Sequence, residues 1–111
     1  MRLTLPDKKT LQLIADMINS DLSQNHSISD LAAMANMSAS RFKTGFRIIF
    51  GQPVYQYILH QKMAHAYNCI IEDELTLSQI ARVCGYRHTT NFIAAFKKVY
   101  GYTPASIKPR T

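Results

Sequence analysis

Two clusters of residues in this chain have the chemistry to engage a polyanion. The first is Ser40, Arg41, Lys43, Thr44 and Arg47. The second is Thr89, Thr90, Asn91, Lys97 and Lys98, with Arg87 and His88 just before it. Guanidinium and ammonium groups neutralise phosphates, and Arg, Lys, Asn, Ser and Thr also hydrogen-bond to base edges. No acid dilutes either cluster. The carboxylates are Asp7, Asp16, Asp21, Asp30, Glu72, Asp73 and Glu74, so none lies between Leu31 and Ile71 and none from Leu75 onward. An acid-free basic stretch is the electrostatic footprint of a nucleic-acid binder.

Bond-making chemistry has no comparable constellation. His60 and His65 are five apart, so one helix does not align them as a metal pair, and His26 and His88 stand alone. No GxSxG, HExxH, phosphate loop or CxxC occurs. Cys69 and Cys84 fall on predicted helices and read as reduced core residues. No catalytic residue, metal or cofactor is expected, and the chain is not read as an enzyme.

The elements that position the two clusters come as a repeat. Thr76-Leu77-Ser78-Gln79-Ile80-Ala81 echoes Ser27-Ile28-Ser29-Asp30-Leu31-Ala32 with an offset of 49. Phe92-Ile93-Ala94-Ala95-Phe96 echoes Phe42-Lys43-Thr44-Gly45-Phe46, and Gly101 echoes Gly51, both with an offset of 50. Ser27 and Thr76 are good N-caps, with Asp30 and Gln79 three residues on as in a capping box. Ile28, Leu31, Ala32 and Ala35 share one helical face, as do Leu77, Ile80, Ala81 and Cys84. Asn36 and Gly85 tolerate positive φ and mark a sharp turn. A second helix then begins near Ser38 or His88, and Phe42/Phe46 and Phe92/Phe96 point inward. Each copy has the layout of a helix-turn-helix, whose second helix lies in the DNA major groove.

The remaining chain must support these units. The 111 residues suffice for one domain or two small subdomains, and 47% are hydrophobic, so a core is expected. No run approaches the ~20 apolar residues of a membrane span, and no signal peptide is evident. A net charge of +6 with a pI near 9.6 agrees with a polyanionic partner. Met1 to Pro6 reads as a frayed lead-in. Asp7 then caps a helix to about Ser23, with Leu11, Ile14, Ala15, Ile18 and Leu22 along its stripe.

In the first long helix, about Ala39 to Phe50, Ile49 joins the inward phenylalanines. Gly45 is read as a site of close packing against the neighbouring helix, with close approach of the backbone to DNA as the alternative. Gly51 ends that helix and Pro53 opens the next. That helix runs to Ile71, with Tyr55, Ile58, Leu59, Met63, Ala66 and Ile70 on its core stripe. It would span roughly 27 Å, against the ~34 Å between successive major grooves on one face of DNA. Glu72-Asp73-Glu74 breaks it, because anions oppose a helix C-terminus. The second long helix, about His88 to Tyr100, buries Phe92, Phe96 and Val99. Pro104 starts a short final helix near Ala105 to Lys108, and Pro109 ends it. The expected organisation is a first subdomain at 1–52, a linker helix at 53–71 and a second subdomain at 72–111. The fold class is all-α, with about seven helices.

These residues resemble the C-terminal DNA-binding domain of the AraC/XylS transcription regulators. The resemblance runs through Ile28-Ser29-Asp30-Leu31-Ala32, Phe42 to Arg47, Gly51, Tyr57-Ile58, Lys62-Met63 and Ala66. It is densest in Leu77 to Ala81, Cys84-Gly85-Tyr86, Asn91-Phe92, Phe96-Lys97-Lys98 and Gly101-Tyr102-Thr103-Pro104. It covers about Asp7 to Arg110. It implies two homeodomain-like helix-turn-helix subdomains on a long helix, and bacterial transcription control, usually activation, through promoter DNA and RNA polymerase in the cytoplasm. Departures occur at Asn36, Thr44, Gly45 and Ala94, and at Lys62 and Lys108, where Arg is usual, so a base preference does not carry over. Most members have a separate effector-binding or dimerisation domain. This chain has no room for one and is expected to be a fragment, the alternative being a stand-alone member. A protein-interaction module that uses the same shape without reading DNA is the alternative function.

Overall fold

The computed structural model describes residues 2–108. Its helices are α1 Leu5–Ser20, α2 Ile28–Met34, α3 Ala39–Phe50, α4 Val54–Glu72, α5 Leu77–Val83 and α6 Thr89–Tyr100, followed by a 3-10 turn at Pro104–Ile107. No strand occurs among the described residues. The chain divides into two units. One comprises Met1–Asp21 with Asn25–Ile58, and the other Leu22–Gln24 with Leu59–Thr111. The division falls inside α4, and the three residues Leu22–Gln24 belong with the second unit.

Side-chain caps set most helix starts. Ser27, Ser38 and Thr76 each accept from the backbone N–H three residues on. A full reciprocal box forms at Thr76–Gln79, and another at Thr4–Asp7. The second one corrects the sequence reading: α1 begins at Leu5, within the expected lead-in. Asp7 is the third helical residue and returns a bond to the Thr4 N–H at 3.1 Å. The helix also stops sooner than expected. Asp21 is extended, so Leu22 lies beyond α1 and is half-buried.

In the first unit, Leu11, Ile14, Ala15 and Ile18 of α1 are buried together with Leu31, Ala32, Phe42, Phe46 and Val54. The aromatic rings of Phe42, Phe46, Phe50 and Tyr57 pack in sequence, at centroid separations of 4.4–5.8 Å. Gly45 is buried on the same side of α3, as close packing requires, and Ile49 is only half-buried at the edge. At the start of α4 the expected stripe is one residue out of phase. Val54 is 2% exposed, and Tyr55 is 70% exposed. Pro53 precedes the helix and accepts from Gln56 and Tyr57 through its carbonyl.

The second unit is built on Met63, Ala66 and Ile70 of α4, Ile80, Ala81 and Cys84, and Phe92 and Phe96 of α6. Tyr67, Tyr100 and Tyr102 extend this core as a ring cluster around Phe96. The acidic segment ends α4 as expected. Asp73 takes a left-handed φ of 56°, and its N–H donates to Cys69 and Ile70. Lys108 then donates to the Leu75 carbonyl at 3.3 Å and pairs with Asp73 at 3.4 Å. The final element is a 3-10 turn at Pro104–Ile107, started by Pro104 as expected; Pro109, its expected terminator, lies outside the described residues.

Lys62 was not expected in the interior, yet it is 5% exposed. Its Nζ donates to the carbonyls of Leu22 at 2.6 Å and Cys84 at 2.8 Å, and more weakly to Gln24 at 3.5 Å. A buried ammonium is tolerated only with such partners. It also caps the C-terminal carbonyl of α5, where positive charge is favoured. Lys62→Met keeps most of the stem and removes the amine. It should lower the unfolding free energy by about 1–3 kcal/mol, because buried carbonyls lose that donor. The measurement is a lower urea midpoint at unchanged slope.

Of the two cysteines, Cys84 is buried as expected and Cys69 only half-buried. Burial pushes the Cys84 thiol from its ordinary value near 9 up to about 12, with Cys69 adding to the shift and Lys62 opposing it. The folded chain therefore holds a proton that the unfolded chain loses first. Stability should fall as pH rises from about 9 towards 12. Comparing urea midpoints of the parent and Cys84→Ala over pH 7 to 10 isolates the Cys84 contribution: the variant should fall less steeply, keeping the part due to groups such as Cys69, whose thiol is also pushed up by burial.

Candidate nucleic-acid interface

Each unit presents its longer helix through the same backbone turn. In the first, Asn36 has φ 56°, its N–H donates to Ala33, and the Met37 N–H donates to Ala32 at 2.9 Å. In the second, Gly85 has φ 82°, its N–H donates to Arg82, and the Tyr86 N–H donates to Ala81 at 2.9 Å. The second turn is one residue longer before its N-cap. Tyr86 fills it with an edge contact to Phe92 at 5.8 Å between ring centroids. Gly51 and Gly101 close the two long helices in left-handed conformations, with φ 75° and 83°.

Burial of Phe42, Gly45 and Phe46 turns the opposite side of α3 to solvent, and Ser40, Arg41, Lys43, Thr44 and Arg47 are all exposed there. Lys43, Thr44 and Arg47 line one surface cavity together, whereas Ser40 and Arg41 do not. Arg41 makes an ion pair with Asp7, from the first turn of α1. The Asp7 carboxyl sits below its ordinary value, chiefly through the hydrogen bond from the Thr4 backbone, with the Thr4 side chain and Arg41 adding. The acid-free face read from the sequence therefore gains one carboxylate from the fold.

In the second unit Phe92 and Phe96 are buried, and Arg87, His88, Thr90, Asn91, Lys97 and Lys98 are exposed. Thr89 and Ile93 are half-buried, so Thr89 is less available than the rest of its cluster. His88 is the N-cap of α6 by backbone position, with no side-chain cap bond. Arg82, exposed in the last turn of α5, adds a cation that attention to the longer helices missed. Its signal was available: it belongs to the same carboxylate-free stretch. No group of three or more metal-ligating side chains occurs among the described residues. No helix among them is long and apolar enough to cross a membrane.

A family model described as a helix-turn-helix domain matches residues 31–110. The chain is 30% identical over 98 residues to the probable transcriptional regulator LumQ of Photobacterium leiognathi, covering 88% of this chain and 40% of LumQ. It is 31% identical over 91 residues to the HTH-type transcriptional regulator AdiY of Escherichia coli K12, covering 82% of this chain and 36% of AdiY. The chain thus spans less than half the length of these curated relatives. Among solved structures, the C-terminal domain of the two-component response regulator yesN from Fusobacterium nucleatum has a TM-score of 0.84 at 26% identity, covering 91% of this chain and 99% of that one. The DNA-binding domain of AdpA, solved in complex with a target DNA, shares the fold with a TM-score of 0.84 at 23% identity over 89% of each chain. A repeated capped turn, two cationic helix faces and this match over residues 31–110 lead to one assignment: the chain belongs to the helix-turn-helix domains of the AraC/XylS family.

Proposed function

We propose that this chain binds double-stranded promoter DNA sequence-specifically and thereby regulates transcription, as an activator, in the bacterial cytoplasm. The observation that carries this reading is the duplicated turn, which presents two exposed, cation-bearing helices, α3 and α6. In this reading the first reading head lies in 1–52, the linker in 53–71 and the second head in 72–111. Lys43, Thr44 and Arg47 of α3, and Thr90, Asn91 and Lys97 of α6, are the first choices for base and phosphate contacts. Ser40, Arg41, Arg87, His88, Thr89 and Lys98 complete the set. RNA polymerase is the further partner that activation requires, and an effector-binding domain would be supplied by sequence outside this chain. The domain itself carries out no covalent step.

Binding through several phosphates should weaken steeply with salt, with a logarithmic slope of about −0.9 per phosphate neutralised. Asp7 tests this locally, because it competes with phosphate for Arg41. Asp7→Asn removes one negative charge and should steepen the slope by about one phosphate if Arg41 then reaches the backbone. Fluorescence anisotropy on a selected duplex between about 50 and 200 mM salt reads both slopes. A flat slope for the parent would indicate a protein-interaction module.

Two different heads call for two dissimilar half-sites about 10 base pairs apart, occupied by one chain. Inserting five base pairs turns one groove to the far side. Affinity should then fall to that of a single head, measured against a duplex carrying one half-site. Unchanged affinity would mean that the heads bind independently.

A further inference from the structure

A surface cavity of about 380 Å³ lies beside α3 in the first unit. That volume is within the ~300–1,000 Å³ of small-molecule sites. Its walls are of two kinds. Ile28, Pro53, Val54 and Tyr55, from the starts of α2 and α4, form an apolar side. Lys43 and Arg47, with the Thr44 hydroxyl, form the other.

The charge in this cavity is unbalanced. Neither Lys43 nor Arg47 has a carboxylate partner among the described residues, whereas Arg41 is paired with Asp7 and Lys108 with Asp73. None of the described lining residues is itself acidic. The apolar side is equally unusual. Tyr55 is 70% exposed although it stands in a helix beside the buried Val54, so its ring offers a face with little packed on it. Two cations alone would suit a phosphodiester, and an apolar slot alone would suit a hydrocarbon. The combination suits a molecule that has both parts. An anionic head can sit on Lys43 and Arg47 as a charge-assisted contact. A flat ring system can lie against Tyr55, whose aromatic face favours stacked or edge contacts.

We infer that this cavity binds a small aromatic anion, and that the occupied cavity withholds Lys43, Thr44 and Arg47 from DNA. The second half rests on the DNA-binding reading above. The first half does not, and it is tested separately.

Naphthalene-2-sulfonate is a suitable probe, with direct binding followed by its own fluorescence and by calorimetry. Saturable binding of one molecule per chain is expected. Tyr55→Ala should weaken it about fivefold or more through the lost ring contact. The same variant should bind DNA as the parent does. Naphthalene-2-sulfonamide, which lacks the charge, and methanesulfonate, which lacks the ring, should both bind poorly. Against DNA the probe should act competitively. At ten times its own Kd it should raise the apparent Kd for the duplex about elevenfold, following mass action.

No binding at about 1 mM probe, a regime of only ~4 kcal/mol, would overturn the site. Equal binding to Tyr55→Ala would overturn it as well, because the probe would then sit elsewhere. Probe binding that depends on Tyr55 but leaves DNA affinity unchanged would overturn the withholding. If the chain bound no DNA at all, the reading under Proposed function would fail, and Tyr55-dependent probe binding would still establish the cavity as a site.

Discussion

Each unit depends on one residue in the left-handed region. Asn36 and Gly85, with φ 56° and 82°, reverse the chain directly after a short helix. Paired backbone bonds close each reversal, from Asn36 and Met37 in one unit and from Gly85 and Tyr86 in the other. These bonds satisfy carbonyls that a helix end leaves open. The consequence is geometric. Ala32 and Ala81 on the short helices are both nearly fully buried, and a larger side chain at either would overpack the core. The positions of Phe42/Phe46 and Phe92/Phe96 in the core follow, and with them the faces of α3 and α6 left to solvent. Asn at the first turn is the costlier choice, since a Cβ disfavours this conformation, though less for Asn than for most residues.

Cations serve two purposes in this chain, and their surroundings separate them. Lys62 and Lys108 end on backbone carbonyls, Lys62 in the interior and Lys108 near the surface beside Asp73. Hydrogen bonds to a charged group are worth about 1.5–3 kcal/mol, so the Lys62 contacts matter on the scale of a small domain's total stability. Lys43, Arg47, Lys97 and Lys98 are exposed, and under the proposed function they are the cations that meet phosphates. Arg41 lies between these classes. It is exposed enough to reach DNA, yet it is already paired with Asp7. An exposed pair of this kind contributes little to stability, so its main effect is on the charge offered to a ligand.

The two heads share a backbone plan and differ in their surroundings. α3 is capped by the Ser38 hydroxyl, carries the Asp7 carboxylate beside it and borders a cavity with Tyr55 on its wall. α6 starts at Thr89 after His88, an N-cap without a side-chain bond, and its C-terminal end rests in the cluster of Tyr67, Tyr100 and Tyr102. The Arg41–Asp7 pair and a cavity lined by Lys43, Thr44 and Arg47 therefore mark the first head, whereas the second has an uncapped helix start and three clustered tyrosines. A repeat in sequence has become two surfaces with different chemistry.

What the sequence alone determined is what depends on neighbours within a few residues. The caps at Ser27 and Thr76, the helix start near Ser38, the turns at Asn36 and Gly85, the stops at Gly51 and Gly101 and the inward phenylalanines all follow from local hydrogen bonding and helical periodicity, and the structure has them where the residues place them. What only the tertiary structure decided involves partners far apart in the chain. Lys62 meets carbonyls 40 residues before it and 22 after it, and Arg41 meets a carboxylate 34 residues away. The exchange of Val54 for Tyr55 in the core is a shift of one residue in helical phase. Near a helix start periodicity is weakly constrained, and packing against the rest of the unit chooses the buried face. Short-range backbone rules repeat wherever the residues repeat. The pairing of charges and the filling of a core depend on which distant groups the fold brings together, and no spacing in the chain encodes that by itself.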